Sequence, residues 1–331
     1  MKLNKTFLKK LGAGLNLVFI LALVIVFFNY AGLDGVLKVL LTVSLPWFAL
    51  ALAISISLNA FNSVRLWFML RKQEIVVPLF ELIVINVGLR FYAFFSPISS
   101  VGSLLRFQRL IPAQKIAEGL AAFGANRVFE IVFLISMGVF WGFTSINQNA
   151  INPSGFIVYL IMLMLALWLA FRFSDFVTTW AAGKQASTHS KILIWIYRVT
   201  GKLFRSFSIY RTFSLNEILI LLGIALLSDL ISLLGFAVVA LALHIPVSFV
   251  DLGWIRALML LAAFTPITLP GGFGVREVSA VVLMTSLGIG AEQSAAFSLL
   301  LYSRSFFAAL LGGVVELGFT IRAFAEQRKS A

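Results

Sequence analysis

Apolar residues in this chain gather into long runs, and polar residues are largely confined to the gaps between them. A helix needs about 20 residues to cross a hydrocarbon core of about 30 Å. The runs predict spans over Leu11 to Phe28, Val39 to Leu58, Gly119 to Trp141 and Gly155 to Phe173. A fifth span runs from Asn216, expected as N-cap beside Glu217, to Leu243. A last long helix starts at Glu292 or Ser294 and ends near Arg322. The second span is expected to emerge at a polar segment around Arg65, Arg71 and Lys72. Two other apolar stretches are broken. Pro78 to Phe95 carries Glu81, Asn86 and Arg90, stops at Pro97 and resumes over Gly102 to Leu110. Trp254 to Leu269 is followed by Val275 to Leu287. Each broken pair reads as a hairpin that dips into the bilayer and returns. Irregular backbone at that depth is stable only when it is buried in protein or lines a wet cavity.

The two breaks resemble each other. Phe95-Ser96-Pro97-Ile98-Ser99 is echoed by Phe264-Thr265-Pro266-Ile267-Thr268. Each leads through glycine to an arginine, Gly102 to Arg106 and Gly271-Gly272-Phe273-Gly274 to Arg276. An Ala-Ala-Phe follows each (Ala121 to Phe123, Ala295 to Phe297), with Arg127 or Arg304 soon behind it. Chance recurrence in a Phe-rich chain accounts for five matched positions, but less well for the glycines, arginines and Ala-Ala-Phe that follow. Counting chain directions gives halves of opposite orientation, the plan of many transporters. The expected fold is an all-α polytopic membrane protein forming one transmembrane domain over 1–331. It holds two inverted repeats, about 11–141 and 155–322, with about six spanning helices and two opposed re-entrant broken-helix hairpins.

Composition sharpens this. Hydrophobic residues make up 61% and charged residues 12% of the chain, too few charges to cover a soluble surface of this size. The net charge of +13 would suit nucleic acid, but its placement argues against that partner. Lys2, Lys5, Lys9 and Lys10 precede the first span, Lys184 to Arg211 fill the longest polar connection, and Arg322, Arg328 and Lys329 close the chain. Thr144 to Pro153 and His244 to Gly253 carry no Lys or Arg. This asymmetry places both termini and the basic segment 184–211 in the cytoplasm of a multi-pass protein of the inner or plasma membrane. Within that segment Ile192, Trp195, Ile196, Val199 and Leu203 share one helical face. It reads as a helix in the headgroup layer, or equally as an ordinary anchoring loop. No cleavage site follows Phe28, so the first span is expected to stay uncleaved. With no cysteine, and with His189 and His244 expected on opposite sides, neither a metal site nor a cofactor is expected.

Charges at membrane depth are the sharpest chemical signal, because each costs several kcal/mol unless paired or hydrated. The candidates are Arg90, Arg106, Arg127, Glu130, Asp229, Arg276, Glu277 and Arg304. A broken helix presents unpaired N–H groups at the start of its second limb, and an arginine one turn in completes an anion site. Arg106 and Arg276 sit in that position, with Gly102, Gly272 and Gly274 allowing close backbone approach to a ligand. Arg127 and Arg304 are expected to line the path of that ligand. Glu130 and Glu277 would orient arginines or couple to protons. Arg127 and Glu130, three apart on one helix, fit a clamp between the halves as well as a substrate role. Adjacent Arg276 and Glu277 are expected to point apart and find separate partners. Pro270 to Gly274 lacks the Lys-Ser/Thr of a nucleotide loop, so ATP is not expected.

Pro97-x4-Gly102-x3-Arg106, Asn126-Arg127-x2-Glu130, Pro270-Gly271-Gly272-Phe273-Gly274-Val275-Arg276-Glu277 and Arg304 resemble the transmembrane region of lysylphosphatidylglycerol synthases. The resemblance runs from about Leu11 to Arg322 and departs at Ser103, where many relatives carry an acid. It implies a flippase-like protein that moves an anionic or phosphate-bearing lipid between leaflets, with a lipid headgroup as ligand. The chain ends at Ala331, so no aminoacyl transfer is expected from this chain by itself. Two other readings stand beside it. One is a membrane-embedded enzyme acting on polyprenyl-phosphate or aminoacyl-phospholipid substrates. The other is an accessory subunit anchoring a separate soluble synthase.

Overall fold

The computed structural model describes residues 32–95, 109–146, 208–262 and 274–330, with a few single positions between 161 and 184. All regular elements among the described residues are helical. They are α1 (Leu33–Leu41), α2 (Leu45–Lys72), α3 (Leu79–Phe95), α4 (Ile116–Ile146), α5 (Leu215–Ala242), α6 (Phe249–Ala262), α7 (Val275–Ser286) and α8 (Ala291–Ser330), with short 3-10 turns at Ala113–Lys115 and Ser208–Thr212. Four are long and apolar enough to cross a membrane: α2, α4, α5 and α8 over Ala291–Phe319. This is an all-α, multi-pass membrane protein. The expected spans at Leu11 to Phe28 and Gly155 to Phe173, both helix breaks, and most of the basic segment lie outside the described residues.

Three expectations are corrected. The second span begins at Leu45 and runs to Lys72, because Pro46 sits in its first turn and no breaker follows for 26 residues. Arg65 is therefore not in a polar loop; it is 5% exposed inside the helix bundle. The fifth span is capped by Ser214, not Asn216. Ser214 Oγ accepts from the Glu217 N–H, and Glu217 returns a carboxylate to the Ser214 N–H at 2.7 Å, closing a capping box. The long helix α8 continues past Arg322 to Ser330.

The halves match in local structure. Helices α2 and α5 are each 28 residues long. Both end in a non-glycine residue with φ 55°, Glu74 and His244, followed by an N–H that reaches five residues back, Ile75 to Leu70 and Ile245 to Ala240. Helices α3 and α6 then start at equivalent positions after Pro78 and Ser248, whose carbonyls accept from Leu82 and Leu252.

Packing exchanges the halves. Helices α2 and α5 lie against each other, while α3 packs mainly along α8 and α6 along α4. Each exchanged pair crosses at a glycine. A Cβ at Gly138 would meet Ala257 Cβ at 2.9 Å, and one at Gly312 would strike the Val87 carbonyl and lie 3.1 Å from the Phe91 nitrogen. Gly138 and Gly312 are equivalent when the two Ala-Ala-Phe phrases are aligned, and so are Ala257 and Val87 when α6 is laid on α3. Backbones that close leave no room for a side chain, which is how helices gain packing where lipid removes the hydrophobic driving force.

Candidate functional site

Charged side chains converge on a cavity of about 330 Å³ lined by α2 to α8. Asp229 and Arg304 lie about 20 Å from the nearer ends of their apolar spans, at 1.5 Å per residue, so the cavity is at mid-depth. Its wall holds Arg65, Arg90, Arg127, Arg256, Arg276 and Arg304, against Glu130 and Asp229. Ser55, Asn62, Ser228 and Ser232 supply further polar groups.

Each charge is seated by its helix. Arg127 Nη1 donates to Glu130 at 2.9 Å along the cavity side of α4, where both side chains are partly exposed (54% and 36%). Arg65 reaches the same carboxylate from α2 at 3.8 Å, donates from Nε to Asn126 Oδ1 at 2.8 Å and lies over the Phe129 ring. Arg256 of α6 donates to Asp229 of α5, and both are nearly sealed from solvent. That pair is incomplete: Arg256 Nε and Asp229 Oδ2 are buried without a hydrogen bond.

Gly274 begins α7 with φ 131°, a conformation that side chains rarely adopt. Its N–H donates to Glu277 at 2.8 Å, and Arg276 donates to the same carboxylate from Nε at 2.8 Å and Nη2 at 2.6 Å. The expectation that Arg276 and Glu277 find separate partners is corrected. The N3 carboxylate folds back to cap the helix, and this brings it under the guanidinium of its neighbour. Glu277 is 1% exposed, so it faces the arginine rather than the cavity.

Arg304 stands apart. Its Nη1 end packs against Gly235, where a Cβ would come within 2.6 Å of it, and its guanidinium carbon lies 5.6 Å from the Phe236 ring. Its Nε is buried with no hydrogen-bond partner. Arg276 and Arg90 are close enough to repel it. The cavity thus gathers the expected Arg127, Glu130, Asp229, Arg276, Arg304 and Arg90, with Gly274 and Glu277 behind Arg276. Gly102, Arg106 and Gly272 lie outside the described residues. Sequence reading missed Arg65 and Arg256. Arg65 was hidden by a misplaced helix end, whereas Arg256 was legible as a lone cation seven residues into an apolar helix.

No cluster of His, Cys, Asp and Glu among the described residues has the form of a metal site. The fold and the cavity define a multi-pass helical membrane protein with a polar, arginine-rich chamber at the middle of its spans. Residues 14–313 match the lysylphosphatidylglycerol synthase TM region, and the chain belongs to that family. No curated protein and no solved structure compared with the chain matches it.

Proposed function

We propose that this protein is a lipid flippase or translocator that passes an anionic, phosphate-bearing headgroup through the arginine-lined cavity while the acyl chains stay in the bilayer. The observation that carries this reading is Arg304, a half-buried arginine at mid-span whose sealed Nε has no hydrogen bond, facing a chamber that holds five more arginines. A cation in hydrocarbon surroundings is stable only with a counter-charge or water. An anionic headgroup supplies the counter-charge, and a guanidinium binds phosphate oxygens with two parallel bonds. Family membership supports a lipid-related role in the membrane.

In this reading the two broken pairs, α3 with the limb after it and α6 with α7, are opposed re-entrant hairpins, and their exchanged packing on α8 and α4 lets one half rock against the other. The orientation follows charge placement, with both termini cytoplasmic. Arg276 and Arg304 hold the phosphate, Arg106 completes the grip from the first break, and Arg127 with Glu130 lines the approach. Glu277 sets the pose of Arg276. The test is leaflet exchange of fluorescent anionic phospholipid in proteoliposomes. Arg276→Ala and Arg304→Ala are expected to abolish exchange at unchanged reconstitution; wild-type rates in both variants overturn the reading.

A further inference from the structure

Resting on that reading, we infer that the cavity selects a headgroup bearing at least two negative charges, a lipid phosphomonoester or diphosphate, over the single charge of a phosphodiester, and that Gly235 keeps its seat open. Arg65, Arg127, Arg256, Arg276 and Arg304 stand against Glu130 and Asp229, with Glu277 behind Arg276 as a third carboxylate, so these residues leave two positive charges in excess. One phosphodiester charge neutralises half of that surplus. A phosphomonoester, whose second ionisation lies near pH 6, brings about two charges. A diphosphate brings at least as many and has the reach to touch more than one guanidinium.

The halves differ at one pair of matching positions. In the first half Arg65 of α2 faces Glu130 of α4. Laying α5 on α2, and α8 on α4 by their Ala-Ala-Phe phrases, puts Gly235 in the place of Arg65 and Arg304 in the place of Glu130. The same contact is made, since Arg304 Nη1 rests on Gly235. An arginine–glutamate pair in one half has thus become a glycine–arginine pair in the other. The acid that would balance the site is replaced by a cation, and the cation's partner by an empty backbone. Arg304 Nε has no bond to give up when a ligand arrives. The Asp229–Arg256 pair, with one oxygen and one Nε still unsatisfied, borders the same space.

The excess charge points to the ligand's chemistry, and the four apolar helices of membrane-spanning length around the cavity point to a lipid-borne source rather than a free anion. Purified protein in uncharged detergent is titrated at pH 7.5 with short-chain phosphatidic acid, short-chain phosphatidylglycerol and inorganic pyrophosphate, and binding is read by thermal stabilisation. Phosphatidic acid is expected to bind at least tenfold more tightly than phosphatidylglycerol, and more tightly than pyrophosphate. Arg304→Gln and Gly235→Ala are expected to narrow the ratio between the two lipids to less than threefold. Gly235→Ala displaces only the mobile end of Arg304 and crowds Ile54 Cγ2 at 3.2 Å, so it serves if Arg304→Gln does not fold. Equal affinity for the two lipids, or a ratio unchanged in Gly235→Ala, overturns the inference; if both lipids are still moved in liposomes, the transport reading stands. Tighter binding of pyrophosphate than of phosphatidic acid overturns the lipid-borne part. Failure of both lipids to bind overturns inference and transport reading together.

Discussion

The two halves of the cavity wall seat their arginines differently: in the first, Arg65 and Arg127 share one carboxylate, and in the second, Arg256 and Arg276 each hold an acid while Arg304 makes no ion pair among the described residues. Arg65, Asn126, Arg127 and Glu130 form a connected group across α2 and α4, in which both arginines share one carboxylate. Deeper in that half the polar contacts are neutral: Asn86 of α3 donates to Ser63, which donates to the Asn59 carbonyl. The equivalents of Asn59 and Asn86 in the second half are Asp229 and Arg256, a sealed ion pair, and beside it Arg304 lacks any acid. Matching helix pairs therefore carry a shared carboxylate on one side and, on the other, a sealed ion pair beside an arginine whose Nε has no bond. A ligand gains more from completing the second than from competing with the first.

The contrast breaks most sharply at the sealed pair. Arg256→Ala leaves a buried carboxylate uncompensated and is expected to cost about 3–5 kcal/mol, read as thermal unfolding in detergent. The double variant Asp229→Leu/Arg256→Met is expected to regain most of that loss. Asn86→Ala, its first-half counterpart, is expected to cost only about 1–2 kcal/mol for one hydrogen bond; equal losses for Arg256→Ala and Asn86→Ala would erase the distinction. The glycine crossings come next. Gly312→Ala drives a methyl into backbone and is expected to cost about 1–3 kcal/mol, whereas Gly138→Ala meets only the Ala257 methyl and is expected to cost less. Helix starts separate the halves by a smaller amount. Ser214→Ala removes a capping box, for about 1 kcal/mol, while Ser44, which makes no side-chain cap bond, is expected to change stability by a few tenths.

The smallest effect is a pH dependence at the start of α6. Burial raises the Asp251 carboxyl, but bonds from Ser145, Ser248 and Trp254 outweigh it and hold the group below its ordinary value of 3.8. A depressed acid stabilises the fold above that ordinary value, and the contribution fades as pH falls through the lower folded value. Thermal unfolding between pH 5 and about 3 is expected to show a shallower acid-side loss in Asp251→Asn than in the parent.

Much of this was legible in the sequence, and the failures have physical reasons. Helix existence followed from apolar run length, and α4 and α5 fall within a few residues of expectation. The end of α2 is not legible, because Arg65 in sequence looks like a membrane-surface residue, whereas the fold holds it in the cavity against Asn126 and Phe129. Arg276 and Glu277 were given separate partners because adjacent helical side chains diverge, but at a helix start the acid at N3 turns back to cap. Arg304 was matched with Arg127 by its nearness to Ala-Ala-Phe. The contact with Gly235 shows that its true counterpart is Glu130, three residues further on. No alignment of apolar residues reveals a replacement that reverses charge, since only packing shows which side chains face the same space.

The chain has no cysteine, so a single one placed in the cavity reports on it without background. Ser232→Cys, on the α5 wall beside Asp229, is treated in liposomes with a water-soluble thiol reagent, with and without anionic phospholipid in the bilayer. Labelling in neutral liposomes and strong protection by anionic lipid are expected. A thiol that stays unlabelled in neutral lipid, or labels equally fast with anionic lipid present, would contradict a water-filled cavity that receives phosphate headgroups.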